Sequence, residues 1–239
     1  MPSALSRQAS ARLVHAAIVV AALVPAAAIV WDALHDNLGA NPIEQITHRT
    51  GDWTIRLLLA SLAVTPLRRL TGWNGVIRYR RTVGLLAFTY VCLHFLTYVV
   101  LDQGFPLQGF AIVDVAEDIA KRPYITVGFS AFLLLIPIAW TSTKGWIRRL
   151  GKRWTTLHQL VYVAAALGVL HYLWLIKGDR PTAVYYGLVL VALLGVRVWR
   201  PYRATEPAAL PSDSLRVVLQ PPDALRAAPR LRAQPRAPA

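Results

Sequence analysis

Histidines are the residues of this chain best suited to chemistry, because three of the six lie inside strongly apolar segments. These three are His94, His158 and His171. An ionisable side chain at membrane depth is costly, and it is kept where it performs a function. His158 and His171 lie on one predicted helix, about 20 Å apart along its axis, so a single metal ion cannot bind both.

His94 and His171 fit the two axial ligands of one haem iron. His94 lies about 12 Å, and His171 about 9 Å, before the end of its own apolar segment, and both segments run in the same direction. Two imidazoles at one depth on neighbouring helices can hold a haem between them. Small residues before His171 leave room for a flat macrocycle. The alternative is that the two histidines join helices by polar contacts.

Three further residues are candidate cofactor contacts: His158, Arg81 and Arg56. A histidine partner for His158 would be expected near position 81, where Arg81 stands. His158 is therefore interpreted equally well as a cofactor ligand or as an interfacial histidine. Arg56 partners either an anion, such as a haem propionate or a quinone oxygen, or Asp52 on the same helical face, which the spacing slightly favours. For the other histidines, contact with solvent or lipid headgroups is the preferred interpretation: His15, His35 and His48.

The elements that position these residues are membrane-spanning helices. Of the 239 residues, 55% are hydrophobic and 16% are charged, whereas soluble domains carry about 25% charged residues. The single cysteine excludes a disulfide framework and a cysteine-based zinc or iron–sulfur site. The net charge of +14 comes from arginines clustered between apolar runs. That clustering predicts basic cytoplasmic loops and a lipid environment, with no nucleic-acid partner.

The apolar segments predict an all-α, polytopic membrane bundle of about six transmembrane helices. A span needs roughly 20 apolar residues, and the second candidate is the weakest because it carries Arg56 at membrane depth. Residues 68–81 and 144–153 each hold five basic residues and no acid. The positive-inside rule therefore places both loops, and both termini, in the cytoplasm. The predicted spans are residues 13–31, 43–67, 82–101, 123–143, 154–176 and 181–199.

One membrane domain with short ends is the expected organisation. Residues 1–12 are expected to form a cytoplasmic N-terminus, and residues 13–200 the haem-binding domain. Residues 201–239 hold eight of the 16 prolines, which predicts a disordered Pro/Arg-rich cytoplasmic tail. Residues 114–120 fit a short helix on the outer surface. The sequence contains no nucleotide-binding or hydrolase motif, so electrons must arrive from a quinol, a flavin or another protein.

Five motifs, in order, are similar to a known family. They are TGDWTIRLLLASLAVTPLRRLTG, RYRRTVGLLAF, LHFLTYVVLD, KRPYITVGF and TSTKGWIRRLGKRWTTLHQLVYVAAALGVLHYLW. Over residues 43–199 the chain resembles the haem-binding membrane subunits of the bacterial periplasmic methionine sulfoxide reductase system (MsrQ, formerly YedZ), in the ferric-reductase-like transmembrane group. His94, His158 and His171 match the histidines of that family. The resemblance implies haem b and FMN as cofactors.

The resemblance also implies a function in the inner membrane. Electrons pass from the quinone pool to a periplasmic molybdopterin-containing reductase of the MsrP type, which repairs oxidised periplasmic proteins. The chain itself is expected to be an electron-transfer subunit without catalytic residues, not an enzyme. Larger ferric reductases carry two histidines in each of two helices and append a flavin and nucleotide domain. Arg80 and Arg81, and a 39-residue tail, depart from that pattern.

Other functions on the same bundle stay open. The nearer alternatives are a stand-alone ferric or other metal-ion reductase and a cytochrome b subunit of another dehydrogenase. The distant alternative is a membrane scaffold or transporter without redox activity, in which the histidines only join helices. An optical spectrum would separate the redox functions from the scaffold, because haem absorbs strongly in the visible range.

Overall fold

The computed structural model of the chain describes residues 4–104, 111–175 and 180–199, and all regular structure within them is helical. The six predicted long helices are present. Two short helices, α4 and α6, lie in loops, and the sequence pattern suggested a helix only at the first of them. The helices are α1 (Ala4–Leu34), α2 (Pro42–Thr71), α3 (Arg80–Thr97), α4 (Ile112–Lys121), α5 (Pro123–Trp140), α6 (Lys144–Leu150), α7 (Lys152–Leu175) and α8 (Arg180–Trp199). The predicted disordered tail, residues 201–239, lies outside the described residues.

Local sequence explains where several helices begin and end. The Asn41 side chain accepts a hydrogen bond from the Glu44 amide and caps α2, and Pro42 fills its first position. Gly72 ends α2 in the left-handed conformation, at φ 72°. Pro123 opens α5, where the missing N–H removes no helical bond. A π-helix, Tyr98–Asp102, continues α3 to its end.

Five helical segments are long and apolar enough to cross a membrane: Ala9–Leu34, Asn74–Asp102, Pro123–Trp140, Lys152–Leu175 and Pro181–Val198. The less apolar α2 falls outside this group, as its charged residues predict. It nevertheless lies antiparallel along α3, because Gly51 is close to His94 and Ser61 is close to Gly84. These two contacts are about 15 Å apart on each helix, so α2 runs through the same layer as α3.

The core of the bundle lies between two helix pairs, α2 with α3 and α5 with α7, and α8 packs against α2 and α7. Ala164 and Ala165 are fully buried on α7, where small side chains let helices approach closely. Large apolar side chains on the outer faces of α1 and α8, such as Leu13, Val24 and Leu188, are exposed, as lipid-facing residues are. The bundle has an α4 end and an α6 end, each named after the short helix that lies there.

Tyr90 fastens α1 to α3. Its hydroxyl donates to the Ala22 carbonyl over 2.6 Å and accepts from the Ala26 amide over 3.1 Å. It therefore lies between two groups that would pair with each other in a regular helical turn. Pro25, which has no N–H, is the adjacent residue, and such an insertion is a recognised local irregularity of helices.

Candidate functional site

His94 and His171 lie next to each other at the α4 end, as their matched depths predict. His94 is on α3 and His171 is on α7. Their ring centroids are 6.2 Å apart, and the ring planes are inclined by 71°. An iron that binds two imidazoles at about 2 Å each separates their centroids by roughly 6 Å. The observed separation therefore fits one metal ion between the two rings.

A backbone carbonyl fixes the tautomer of each ring. His94 Nδ1 is 3.0 Å from the Thr47 carbonyl on α2, and His171 Nδ1 is 2.7 Å from the Tyr124 carbonyl on α5. Because a carbonyl can only accept a hydrogen bond, each Nδ1 carries the proton, and each Nε2 keeps its lone pair. Metal-binding histidines are commonly held in this way by a carbonyl or a carboxylate.

Two glycines make room for the imidazoles. A Cβ atom built on Gly51 would lie 3.1 Å from His94 Cε1, and one on Gly128 would lie 2.8 Å from His171 Nδ1. Gly51 follows Thr47 by four residues, and Gly128 follows Tyr124 by four residues. Residues four apart share one helical face. Thus α2 and α5 each offer a carbonyl and, one turn later, a gap to a histidine of the neighbouring helix.

Sequence reasoning did not identify these supporting residues, although both glycines lie within the motifs quoted above. The signal available was a glycine inside an apolar helix, which has a cost in helix propensity and so suggests a close approach. Which ring approaches it depends on the register between neighbouring helices. That register is not contained in either segment alone.

Aromatic and small residues are the sequence neighbours of the two histidines and of their supporting residues. Phe95, Phe129 and Phe132 form a stack between α3 and α5, with Phe95 and Phe132 centroids 4.9 Å apart. On α7, Gly168 lies one turn before His171, and nothing lies within 4 Å of a Cβ built on it. Gly168 therefore leaves open space on this helix. Ala164 and Ala165, which also precede His171, are fully buried and serve helix packing.

An ionic and hydrogen-bonded cluster around Asp118 closes the α4 end. Asp118 accepts hydrogen bonds from the Tyr98 hydroxyl at 2.7 Å and from Gln103 at 3.2 Å, and it pairs with Arg122 at 2.9 Å. A hydrogen bond to the Tyr124 hydroxyl is the largest cause that raises the pKa of Arg122, and the charge of Asp118 also raises it. Tyr98 follows His94 by one turn, so the cluster joins the segments that carry His94 and the Tyr124 carbonyl.

His158 lies at the α6 end in a different environment. Its ring stacks on Trp154, with centroids 4.0 Å apart, and its Nε2 is 3.1 Å from the Thr141 hydroxyl. That hydroxyl donates to the Pro137 carbonyl over 2.6 Å, so it accepts from His158 Nε2–H. His158 Nε2 therefore carries the proton and faces the Thr141 hydroxyl, and the lone pair of this ring is at Nδ1. This geometry favours the interfacial interpretation of His158.

The two arginines predicted as cofactor contacts, Arg56 and Arg81, lie in separate parts of the bundle. Arg56 Nε donates to the Tyr186 hydroxyl on α8 over 2.8 Å, and its Nη2 is 3.6 Å from Asp52. The predicted contact with Asp52 is confirmed, whereas Tyr186 was not foreseen. Arg81 lines a groove between α1 and α3, and Arg80 is the arginine whose charge acts on His158. Within the described ranges, no group of three or more His, Cys, Asp or Glu residues is placed to hold a metal ion.

Comparison with known proteins gives consistent results. Residues 50–169 match the family described as the ferric reductase like transmembrane component. The chain is 51% identical over 190 residues to a protein of Herminiimonas arsenicoxydans, and the aligned region covers 78% of this chain and 85% of that protein. It is 50% identical over 208 residues to one of Xanthomonas axonopodis pv. citri, which covers 84% and 91%, respectively. A protein of Ralstonia nicotianae is 47% identical over 213 residues, with 88% and 95% coverage. Each is named "Protein-methionine-sulfoxide reductase heme-binding subunit MsrQ".

Proposed function

The chain belongs to the ferric reductase-like transmembrane family and, within it, to the MsrQ heme-binding subunits. On that basis we propose that it is the haem-binding electron-transfer subunit of a methionine sulfoxide reductase system. Its apolar helices make it a multi-pass protein of the bacterial inner membrane. The site residues present fit a b-type haem, because two histidines stand at the spacing of two axial ligands. Phe95 follows His94 along α3, and Gly168 leaves open space one turn before His171 on α7.

His94 and His171 are the proposed ligands, and the observation that carries this proposal is the pair of carbonyl-held rings. When bound, haem b supplies a one-electron iron(III)/iron(II) couple. The Thr47 and Tyr124 carbonyls hold the proton on each Nδ1 and keep each Nε2 free to bind. With both histidines engaged, such a haem would serve electron transfer rather than substrate chemistry.

Arg56 is the proposed contact for a carboxylate of the haem. It lies one turn and a half along α2 from Gly51, which contacts His94, and its partner Tyr186 packs edge-to-face against Tyr172 with centroids 5.3 Å apart. Tyr172 is the residue after His171, so the guanidinium is linked through the Tyr186 side chain to the helix that carries His171. Asp52 and Tyr186 already orient it, and a bidentate cation suits a carboxylate.

The proposed direction of electron flow is outward. The histidine pair is at the α4 end, whereas the basic loops at residues 68–81 and 144–153 lie at the α6 end, which the positive-inside rule places in the cytoplasm. Reporter fusions after Leu70 and after Leu150 should therefore report the cytoplasm. A fusion after Asp114 should report the periplasm. The reverse pattern would place the pair on the wrong side for a periplasmic partner.

The proposed donor is quinol, and the proposed acceptor is a periplasmic molybdopterin-containing reductase of the MsrP type. The absence of a nucleotide-binding motif in the sequence supports a donor other than a nicotinamide cofactor. The test uses membranes that contain the full chain and are washed free of soluble reductases. Quinol should reduce the haem, and adding the oxidised molybdoenzyme should reoxidise it.

His94→Ala membranes serve as the matched control for that experiment, because they keep the lipid and quinone content but lack a proposed ligand. Rapid reduction by NADH with quinone synthesis blocked would contradict the proposed donor. Reduced haem that stays reduced when the oxidised molybdoenzyme is added would contradict the proposed acceptor. A purified protein with no haem spectrum at all would contradict the function itself.

A further inference from the structure

A groove between α1 and α3 at the α6 end takes no part in the proposed function. Its volume is about 480 Å³, which is within the range of about 300–1,000 Å³ found for ligand pockets. Its mouth carries His15, Arg78 and Arg81. Deeper in the bundle it is lined by Val19, Leu85 and Leu86, together with Thr89, whose hydroxyl donates to the Leu85 carbonyl of its own helix.

Two contacts between parallel helices create this groove. At the mouth, His15 Nδ1 is 3.3 Å from the Thr82 hydroxyl. At the deep end, Tyr90 hydrogen-bonds to α1 at Ala22. The two contacts are about 10–12 Å apart along the helices. Between them the side chains of α1 and α3 leave the space open.

The positive charge at the mouth of the groove favours an anionic ligand. The groove contributes two guanidinium groups and an imidazole, and none of the described residues that line it is acidic. Arg78 is oriented by a hydrogen bond from its Nε to the Gly75 carbonyl over 3.0 Å. Paired guanidinium groups are well suited to bind a phosphate. Basic pockets between transmembrane helices on the cytoplasmic side are sites for anionic lipid headgroups.

We propose that the groove binds an anionic phospholipid, with its phosphate between Arg78 and Arg81. The acyl chain would lie along Leu85, Leu86 and Val19. The groove meets the bilayer at the level where α3 begins, and the side chains of Arg78, Arg81 and His15 are exposed there. A lipid can therefore enter sideways. A quinone would also suit the apolar walls, but its neutral ring makes no use of two cations.

The test compares lipid retention between charge variants of the full chain. Protein purified in mild detergent is analysed by native mass spectrometry and by lipid extraction. The wild type should keep a phosphatidylglycerol or cardiolipin molecule that zwitterionic lipid does not replace. Arg78→Gln with Arg81→Gln should weaken its retention by about tenfold or more. The matched control, Arg148→Gln with Arg149→Gln, removes the same charge from the other basic segment and should keep the lipid.

A second variant tests the apolar walls without changing charge. Val19→Phe fills the groove and should release the lipid while both arginines remain. Inorganic phosphate should not displace the lipid, because it has no acyl chain. Extraction of a quinone in place of a phospholipid, or equal lipid loss from the control, would overturn the proposal. The haem spectrum, which depends on the other end of the bundle, reports in each variant whether the protein is still folded.

Discussion

The two ends of the bundle hold their histidines in opposite ways. At the α4 end, His94 and His171 each donate a hydrogen bond from Nδ1 to a backbone carbonyl, which leaves the Nε2 lone pair free. At the α6 end, His158 donates a hydrogen bond from Nε2 to the Thr141 hydroxyl, and its ring stacks on Trp154. All three histidines lie in apolar helices. What differs is which ring nitrogen the surrounding residues use.

This difference concerns which ring nitrogen is open to a metal. At the α4 end, a hydrogen bond at Nδ1 orients each ring and leaves the Nε2 lone pair available. At the α6 end, Nε2 is occupied by the Thr141 hydroxyl, so the lone pair is at Nδ1 and the ring stacks on Trp154. The α4 end also supplies a second histidine, at a centroid distance of 6.2 Å. At the α6 end, the corresponding part of α3 carries Arg80 and Arg81 instead of a histidine. The comparison therefore predicts unequal effects when each end is altered.

The largest expected effect comes from removing either proposed ligand. His94→Ala or His171→Ala should abolish the low-spin, bis-histidine spectrum, because one remaining ligand binds haem weakly and changes its spin state. Haem per protein and the electron paramagnetic resonance spectrum are the measurements. His94→Met, which restores a ligand of another type, should recover haem at a higher reduction potential.

The matched control is His158→Ala, which removes an imidazole from α7, the helix that also carries His171. It should leave the bis-histidine signal in place. If His158→Ala removes all haem while His94→Ala removes none, the comparison between the two ends is inverted. The proposed ligand assignment would then be wrong.

A smaller effect is expected from filling the gaps beside the rings. Gly128→Ala would place a Cβ 2.8 Å from His171 Nδ1, and Gly51→Ala would place one 3.1 Å from His94 Cε1. Both should weaken haem binding, Gly128→Ala by about tenfold or more, the scale of changes to residues that support a metal ligand. Gly51→Ala should have the weaker effect, because its contact is longer. Haem titration of the apoprotein measures both.

Gly195→Ala on α8 is the control for that series, because nothing lies within 4 Å of a Cβ built there. In a helix, Gly→Ala stabilises by about 0.5–1 kcal/mol. A loss of haem from Gly128→Ala together with an unchanged or raised melting temperature would therefore isolate the effect on the ring. Equal haem affinity in all three variants would show that the gaps are not needed.

The sequence predicted one part of this comparison and missed another. Hydropathy and the rise per residue placed His94 and His171 at one depth, and the structure confirms that they meet. The supporting contacts join residues such as Thr47 and His94, which are 47 positions apart. They depend on the rotation of α2 against α3. Apolar periodicity could not supply that rotation, because the apolar residues of α2 and α3 are not confined to one face of either helix.

The same limit explains Arg56 and His158. The contact of Arg56 with Asp52 lies within one helix, so spacing alone predicted it. Its hydrogen bond to Tyr186 spans 130 positions and required the packing of α8 on α2. For His158, the sequence left two interpretations equal. The group that contacts its ring nitrogen, the Thr141 hydroxyl, stands at the end of α5, 17 positions away and on another helix.

The smallest expected effect concerns that hydroxyl. Thr141→Val keeps the shape of the side chain but removes the acceptor of His158 Nε2–H and the donor to the Pro137 carbonyl. Loss of such partly buried hydrogen bonds should lower stability by about 1–3 kcal/mol. The haem spectrum of the α4 end should not change. Thermal unfolding in detergent, followed together with haem absorbance, measures both quantities.

Ser142→Ala provides the local control, since its hydroxyl donates to the Ile138 carbonyl over 2.7 Å, a bond like that of Thr141 to Pro137. Of the two variants, only Thr141→Val alters His158. A larger loss of stability in Thr141→Val than in Ser142→Ala would assign the excess to the contact with His158. If Thr141→Val instead changed the haem spectrum as strongly as His94→Ala, His158 would act on the haem itself. The two ends would then be one functional unit rather than a ligand site and a packed histidine.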